Sequence, residues 1–157
     1  MALETSIIAF SLDNTLTPEA TGSNITVSAS TASAAGADLY AWLDRSVSIE
    51  PGKTAFIPAG IALEVPEGCA GLIYARSSLG TKRGLAPANK VGVIDSDYRG
   101  PVTVVLYNHG NEPQTIAHGE RIAQMVIARY EKVEWVEVEQ LSESERGAGG
   151  FGSTGKK

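Results

Sequence analysis

Three segments of this chain carry residue types that handle phosphate or protons. The first is Ala75-Arg76-Ser77-Ser78-Leu79-Gly80, with Lys82 and Arg83 close behind. Arginine and hydroxyl side chains at a strand end suit phosphate, because a guanidinium can grip two of its oxygens at once. From Arg76 to Arg99 there are five basic residues and two acidic ones, the reverse of the balance in the whole chain. A basic surface loop is the plain alternative. The second segment is Gly92-Val93-Ile94-Asp95-Ser96-Asp97-Tyr98-Arg99-Gly100. Its paired carboxylates suit a metal, a general base or simply a turn, since Asp and Ser close hairpins through hydrogen bonds to backbone. A further acid, Asp38, is set among small and apolar residues in Ala35-Gly36-Ala37-Asp38-Leu39.

The third segment is the tail Arg146–Lys157, RGAGGFGSTGKK, with five glycines and one aromatic. Gly150 to Lys156 nearly spells a P-loop, but Lys157 stands where Ser or Thr is required. A P-loop also needs a helix behind it to face the phosphate, and one residue is no helix. What survives is weaker: glycine-rich backbone N–H groups can form an anion nest, Arg146 can pair with phosphate, and Phe151 offers a stacking face. A flexible solubilising tail is the competing reading. His109 and His118 each lie beside glycine and read as turn residues. Cys69 reads as a small buried or edge residue.

The elements that must position these groups are short strands. Turn clusters such as Pro51-Gly52, Pro58-Ala59-Gly60, Pro66-Glu67-Gly68, His109-Gly110-Asn111 and His118-Gly119 punctuate the chain. Glycine supplies positive φ in such turns and proline presets φ near −65°. Between them lie runs rich in β-branched and aromatic residues, namely Phe56-Ile57, Ile61–Val65, Gly71–Tyr74, Val91–Ile94, Val102–Tyr107, Thr115-Ile116 and Ile122–Ile127. Val133–Val138 alternates partly between apolar and acidic positions, as a solvated strand face or linker would. Closely spaced short strands predict an all-β sandwich or barrel, and no segment sustains a helical stripe. Residues 1–24 are expected to give an extension or edge strand, 25–141 the β-rich domain, and 142–157 a flexible glycine-rich arm.

Composition sets the outer limits. The chain has 157 residues, 43% hydrophobic and 20% charged, which is a globular balance. A net charge of −5 weighs against general nucleic-acid binding, which needs a basic face to displace counterions. One cysteine excludes an internal disulfide framework and a cysteine-built zinc site. No apolar run approaches the roughly 20 residues of a membrane span. No Lys or Arg precedes Arg45, so a secretory or transit leader is not expected. The expectation is a soluble intracellular protein, cytoplasmic or nuclear, without membrane or nucleic-acid partners.

In chain order, these segments resemble the five motifs of the trimeric dUTPase family (deoxyuridine 5′-triphosphate nucleotidohydrolases). The motifs are AGADLYA at 35–41, ARSSLG at 75–80, GVIDSDYRG at 92–100, GERIAQMVI at 119–127 and RGAGGFGSTG at 146–155. The resemblance implies a jelly-roll-like β domain in a homotrimer with shared sites and a mobile C-terminal arm. It implies dUTP as substrate, dUMP and pyrophosphate as products, and Mg²⁺ as cofactor. It casts Asp95 as general base and Gln124 as a holder of the attacking water. Tyr98 would pack under the deoxyribose, and Asn89 with the backbone at Gly92, Val93 and Ile94 would read uracil. Arg76, Ser77, Ser78 and Gly80 would meet the triphosphate, and Asp38 would support the metal, through water, or Arg76. Arg146 and the Gly152-Ser153-Thr154 segment would cover the γ-phosphate, with Phe151 over the base. Ser78 stands where many members have glycine, and an extra alanine follows Ser33. Two rivals remain open: a dCTP deaminase-like enzyme on the same fold, and a dUTP-binding regulator with a partner for residues 1–24.

Overall fold

Alternation of apolar and polar residues dictates the architecture, because a strand presents successive side chains to opposite faces. Pro101–Asn108 shows it most clearly, with Val102, Val104, Leu106 and Asn108 buried and Pro101 and Thr103 exposed. The computed structural model describes residues 8–11, 27–29 and 33–149. Its strands are β1 (Ile8–Ser11), β2 (Val27–Ala29), β3 (Ala37–Tyr40), β4 (Val47–Ile49), β5 (Thr54–Glu64) and β6 (Cys69–Tyr74). A short helix α1 (Ser77–Arg83) follows, then β7 (Leu85–Pro87), β8 (Gly92–Ile94), β9 (Pro101–Asn108), β10 (Gln114–Ile116) and β11 (Arg121–Arg129).

Every strand pairing is antiparallel. One sheet has the order β1-β5-β9-β7, a second β2-β3-β11-β6-β8, and β4 pairs with β10 in a two-stranded ribbon. The core draws on all three, with Ile57, Ile61 and Leu106 from the first, Leu39, Ile122 and Met125 from the second, and Ile49 and Ile116 from the ribbon. Each such side chain contributes about 1.5–3 kcal/mol by leaving water. The fold is all-β and jelly-roll-like, as expected.

Three local features differ from the sequence expectation. Pro58-Ala59-Gly60 is not a turn: it lies within β5, where the pairing with β9 shifts register between Pro58 and Ala62. Gly60 has φ +67°, and a Cβ there would stand 2.7–2.9 Å from the Trp42 side chain. The glycine therefore admits an indole ring rather than reversing the chain. Next, α1 carries one buried residue, Leu79, so it has no apolar stripe to announce a helix. Gly84 ends it in the left-handed conformation at φ 66°, donating its N–H to the Leu79 carbonyl. Finally, Val133–Val138 forms no strand, and Trp135, Val136 and Leu141 are 92%, 74% and 82% exposed.

The histidines and the cysteine follow expectation. His109 follows β9 and packs edge-on against Tyr107, at 4.4 Å between ring centroids. His118 sits in the turn before β11 and accepts a hydrogen bond at Nδ1 from the Leu43 N–H. Cys69 is buried at the start of β6. No helix among the described residues is long and apolar enough to cross a membrane.

Candidate active site

Two hollows hold most of the residues singled out by type. The first lies beside the β6–β8 pair and the start of β9, where Ile73, Asn89, Gly92, Val93, Ile94, Asp95, Tyr98 and Val102 line a cavity of about 380 Å³. Register explains its shape. Pairing of Leu72 with Val93 and of Ile73 with Gly92 leaves Asn89 and Asp95 at opposite ends of β8. A Cβ on Gly92 would come within 3.3–3.4 Å of Ile73 and the Asn89 amide, so glycine keeps the floor open. Lys90, at φ 68°, turns the chain between Asn89 and β8.

At the other end of β8 a tight turn carries Asp95 and Tyr98, both exposed, with the Tyr98 N–H donating to the Asp95 carbonyl at 3.2 Å. The Tyr98 hydroxyl donates to the Pro101 carbonyl at 3.1 Å. Arg99 does not line this hollow. Its Nη1 donates to the Ser96 and Tyr98 carbonyls at 2.7 and 3.0 Å, and its Nη2 lies 3.3 Å from Glu64. It braces the turn.

The second hollow, about 330 Å³, lies over α1 and the start of β11, lined by Arg76, Ser78, Leu79, Lys82, Arg83, Glu120 and Arg121. Its organising group is Asp38, whose side chain is 8% exposed. One Asp38 oxygen accepts from Arg76 Nε at 2.7 Å, and the other from Arg121 Nη1 at 3.2 Å. A buried carboxylate must be paired, and here two guanidiniums share it. Arg76 also donates to the Ser78 hydroxyl at 3.2 Å. Below them, Arg83 bonds the Gln114 side chain, the Thr115 carbonyl and Glu120, tying α1 to β10 and to the turn before β11.

Gln124 stands opposite Asp38 on β3 and opposite Tyr74 on β6, so it shares their sheet face. Its Nε2 donates to the Ala75 carbonyl at 3.0 Å, beside Arg76. Gly36 passes close to this side chain, since a Cβ there would be 3.4 Å from Gln124 Oε1. Ser77 opens α1 and is exposed. Gly80 lies inside α1 with its N–H bonded to the Arg76 carbonyl at 2.9 Å.

Within one chain, therefore, the residues assigned by type fall into two groups. Asp95, Tyr98, Asn89 and β8 line one hollow, and Ser78 with the two arginines paired to Asp38, Arg76 and Arg121, line the other, with no lining residue in common. Arg146 is apart from both, bonding the Gly149 carbonyl at 2.8 Å within its own turn. Phe151, Gly152, Ser153 and Thr154 lie outside the described residues. Sequence reading did not single out Arg121 as the second partner of Asp38, or the bracing role of Arg99. Both depend on strand register or on a turn closing upon itself. Arg121, the one basic side chain of GERIAQ, was itself the available hint.

Comparison with known proteins fits this arrangement. The family model described as dUTPase matches residues 23–155. A protein of Desulfitobacterium hafniense named deoxyuridine 5′-triphosphate nucleotidohydrolase is 52% identical over 126 residues, covering 80% of this chain and 83% of the relative. One of the same name from Anaplasma marginale is 49% identical over 125 residues, covering 80% and 85%. Among solved structures, the Staphylococcus bacteriophage 80alpha dUTPase with dUpNHpp superposes with a TM-score of 0.76. It is 26% identical, over 96% of this chain and 98% of that one. With both hollows lying within the matched residues 23–155, this chain belongs to the dUTPase family.

Proposed function

We propose that the chain hydrolyses dUTP to dUMP and pyrophosphate, lowering dUTP available to DNA synthesis and supplying dUMP. The observation that carries the reading is Asp95 beside Tyr98 on the rim of a hollow whose floor Gly92 holds open. The hollow, about 380 Å³, would take one pyrimidine, read by Asn89 and by β8 at Gly92, Val93 and Ile94. Tyr98 lies under the sugar and leaves no room for a 2′-hydroxyl. Asp95 takes a proton from a water held with Gln124. The water oxygen then bonds the α-phosphorus, the α–β bridging P–O bond breaks, and pyrophosphate leaves. A positioned general base contributes roughly 10²–10⁴-fold.

Arg76, Ser77 and Ser78, with Gly80 behind them, take the phosphates. Asp38 aims Arg76 rather than touching substrate. The donor set suits Mg²⁺ brought by the nucleotide. Among the described residues no three His, Cys, Asp or Glu side chains gather, and both Asp38 oxygens are already engaged by guanidiniums. Magnesium keeps several waters and takes few carboxylates alongside phosphate oxygens, so Asp38 would meet it only through water. Bound there, it would neutralise charge on the leaving pyrophosphate.

The working unit in this reading is a homotrimer. One subunit supplies the Arg76–Gln124 side, a second the Asp95–Tyr98 hollow, and a third its arm from 142 to 157. Two observations support it. The two hollows are separate on one chain, and the apolar side chains of Val133, Trp135, Val136 and Leu141 are exposed on it. Arg146, Gly152 and Ser153 then close over the γ-phosphate and Phe151 over the base, excluding water. A deaminase reading is disfavoured because, among the described residues, the pyrimidine hollow is lined by Asp95 and by no glutamate.

The test is a nucleotide panel with Mg²⁺. Pyrophosphate release from dUTP should far exceed that from dTTP, dCTP and UTP. Ammonia release from dCTP, or binding of dUTP without turnover, would overturn the proposal.

A further inference from the structure

Gly100 departs from the usual reasons for a glycine. Its φ lies outside the positive range occupied by Gly52, Gly60, Gly68, Gly84, Gly119 and Gly147, so its backbone conformation is open to any residue. Space is what forbids a side chain. A Cβ on Gly100 would stand 2.6 Å from Tyr98 Cζ and 2.9 Å from Cε2, and closer still to the hydroxyl oxygen. The phenol ring thus lies on the bare Cα of Gly100, and its hydroxyl reaches past to the Pro101 carbonyl.

The backbone of Tyr98 is hydrogen-bonded on both sides. The Tyr98 N–H is held by the Asp95 carbonyl, and its carbonyl by Arg99, which is itself paired with Glu64. With the backbone fixed, the ring alone must yield to a Cβ. Restoring an ordinary contact of about 3.5 Å requires a shift of about an ångström, which takes the hydroxyl away from Pro101. Both Tyr98 and Pro101 line the hollow that holds Asp95, so this movement changes the wall of that hollow.

We propose that Gly100 is a specificity-determining positioning residue: its missing Cβ seats the Tyr98 ring where it discriminates deoxyribose from ribose. The inference rests on the reading of Tyr98 as the sugar contact. Gly100 touches no substrate atom and acts only through the ring. An apolar wall rejects an added hydroxyl by roughly 10² at most, so an unseated ring should forfeit about tenfold of that preference.

The experiment compares kcat/KM for dUTP and UTP in the full chain, in Gly100→Ala, in Tyr98→Ala and in the double variant. Gly100→Ala should lower the dUTP:UTP ratio about tenfold, through a higher KM for dUTP, with little change in thermal midpoint. In the Tyr98→Ala background the same substitution should move the ratio by less than about twofold, because the ring it displaces is gone. A Gly100→Ala enzyme with an unchanged ratio overturns the inference, as does an equal effect in both backgrounds. If Tyr98→Ala alone leaves the ratio intact, the sugar reading of Tyr98 falls and takes this inference with it. Should Gly100→Ala fail to fold, the double variant should fold, and a double variant that also fails overturns the proposal.

Discussion

Replacing Asp38 with Asn removes a charge and almost no volume, so it isolates what that carboxylate does for the two arginines. The Arg76 contact is 2.7 Å, with side-chain exposures of 20% and 8%. A charge-assisted hydrogen bond in that setting contributes about 1.5–3 kcal/mol. The Arg121 contact is 3.2 Å, and Arg121 is 47% exposed, so screening reduces it to about 1 kcal/mol or less. Asn can still accept one neutral hydrogen bond from Arg76, returning about 1 kcal/mol. Its amide NH₂, however, faces Arg121 donor to donor. The net expectation is a loss of about 2 kcal/mol, which is about 4–8 °C for a chain of this size. Asp38→Ala should cost more, about 3–5 kcal/mol, because it leaves a half-buried guanidinium uncompensated and opens a gap.

Denaturant unfolding at one fixed protein concentration reads the stability, since assembly would otherwise shift the midpoint. Steady-state pyrophosphate release reads the function. With Arg76 no longer aimed, the KM for dUTP should rise about tenfold, and kcat should fall less. Two results would refute the reasoning. One is an Asn variant within about 0.5 kcal/mol of the parent with an unchanged KM. The other is a lower KM, which would mean that Asp38 competes with phosphate for the arginines instead of orienting them.

Asp95→Asn should reduce kcat by roughly 10²–10⁴-fold while a non-hydrolysable dUTP analogue still binds in calorimetry, because the substitution removes the proposed base and almost no volume. Removing residues 146–157 should cut turnover by at least about 10²-fold without changing the assembly mass measured by light scattering, since the proposed role of that segment is to cover substrate. Gly60→Ala should destabilise by about 2–4 kcal/mol in urea unfolding, combining a left-handed backbone strain with overpacking against Trp42.

The sequence disclosed chemistry better than it disclosed neighbours. Asp95, Tyr98 and Arg76 stood out by residue type beside predicted strands, and the structure places Asp95 and Tyr98 on one hollow and Arg76 on the other. Strands such as β9 and β11 were legible because β-branched residues crowd between turn signals. Gly60 was misread because its reason is Trp42, 18 positions away in sequence, and composition holds no trace of that contact. Asp38 was noticed as an acid in apolar surroundings, yet its second partner depends on β3 lying against β11. Helix α1 escaped because one buried leucine makes no periodicity. The run at 133–138 has strand-like residues but pairs with no strand among the described residues.

The lack of a common wall between the two hollows carries a consequence for genetics. If each working site is assembled from neighbours, a subunit ruined in one hollow can still donate the other. Asp95→Asn and Arg76→Ala subunits, each dead alone, should therefore rescue one another after mixed refolding. A site revives when the Asp95→Asn subunit presents its intact Arg76 to the intact Asp95 of the next. With equal mixing, about one site in four is assembled that way in a cyclic ring. Two recessive lesions in one gene would then complement, and the map of which pairs do so would trace the seam between the hollows.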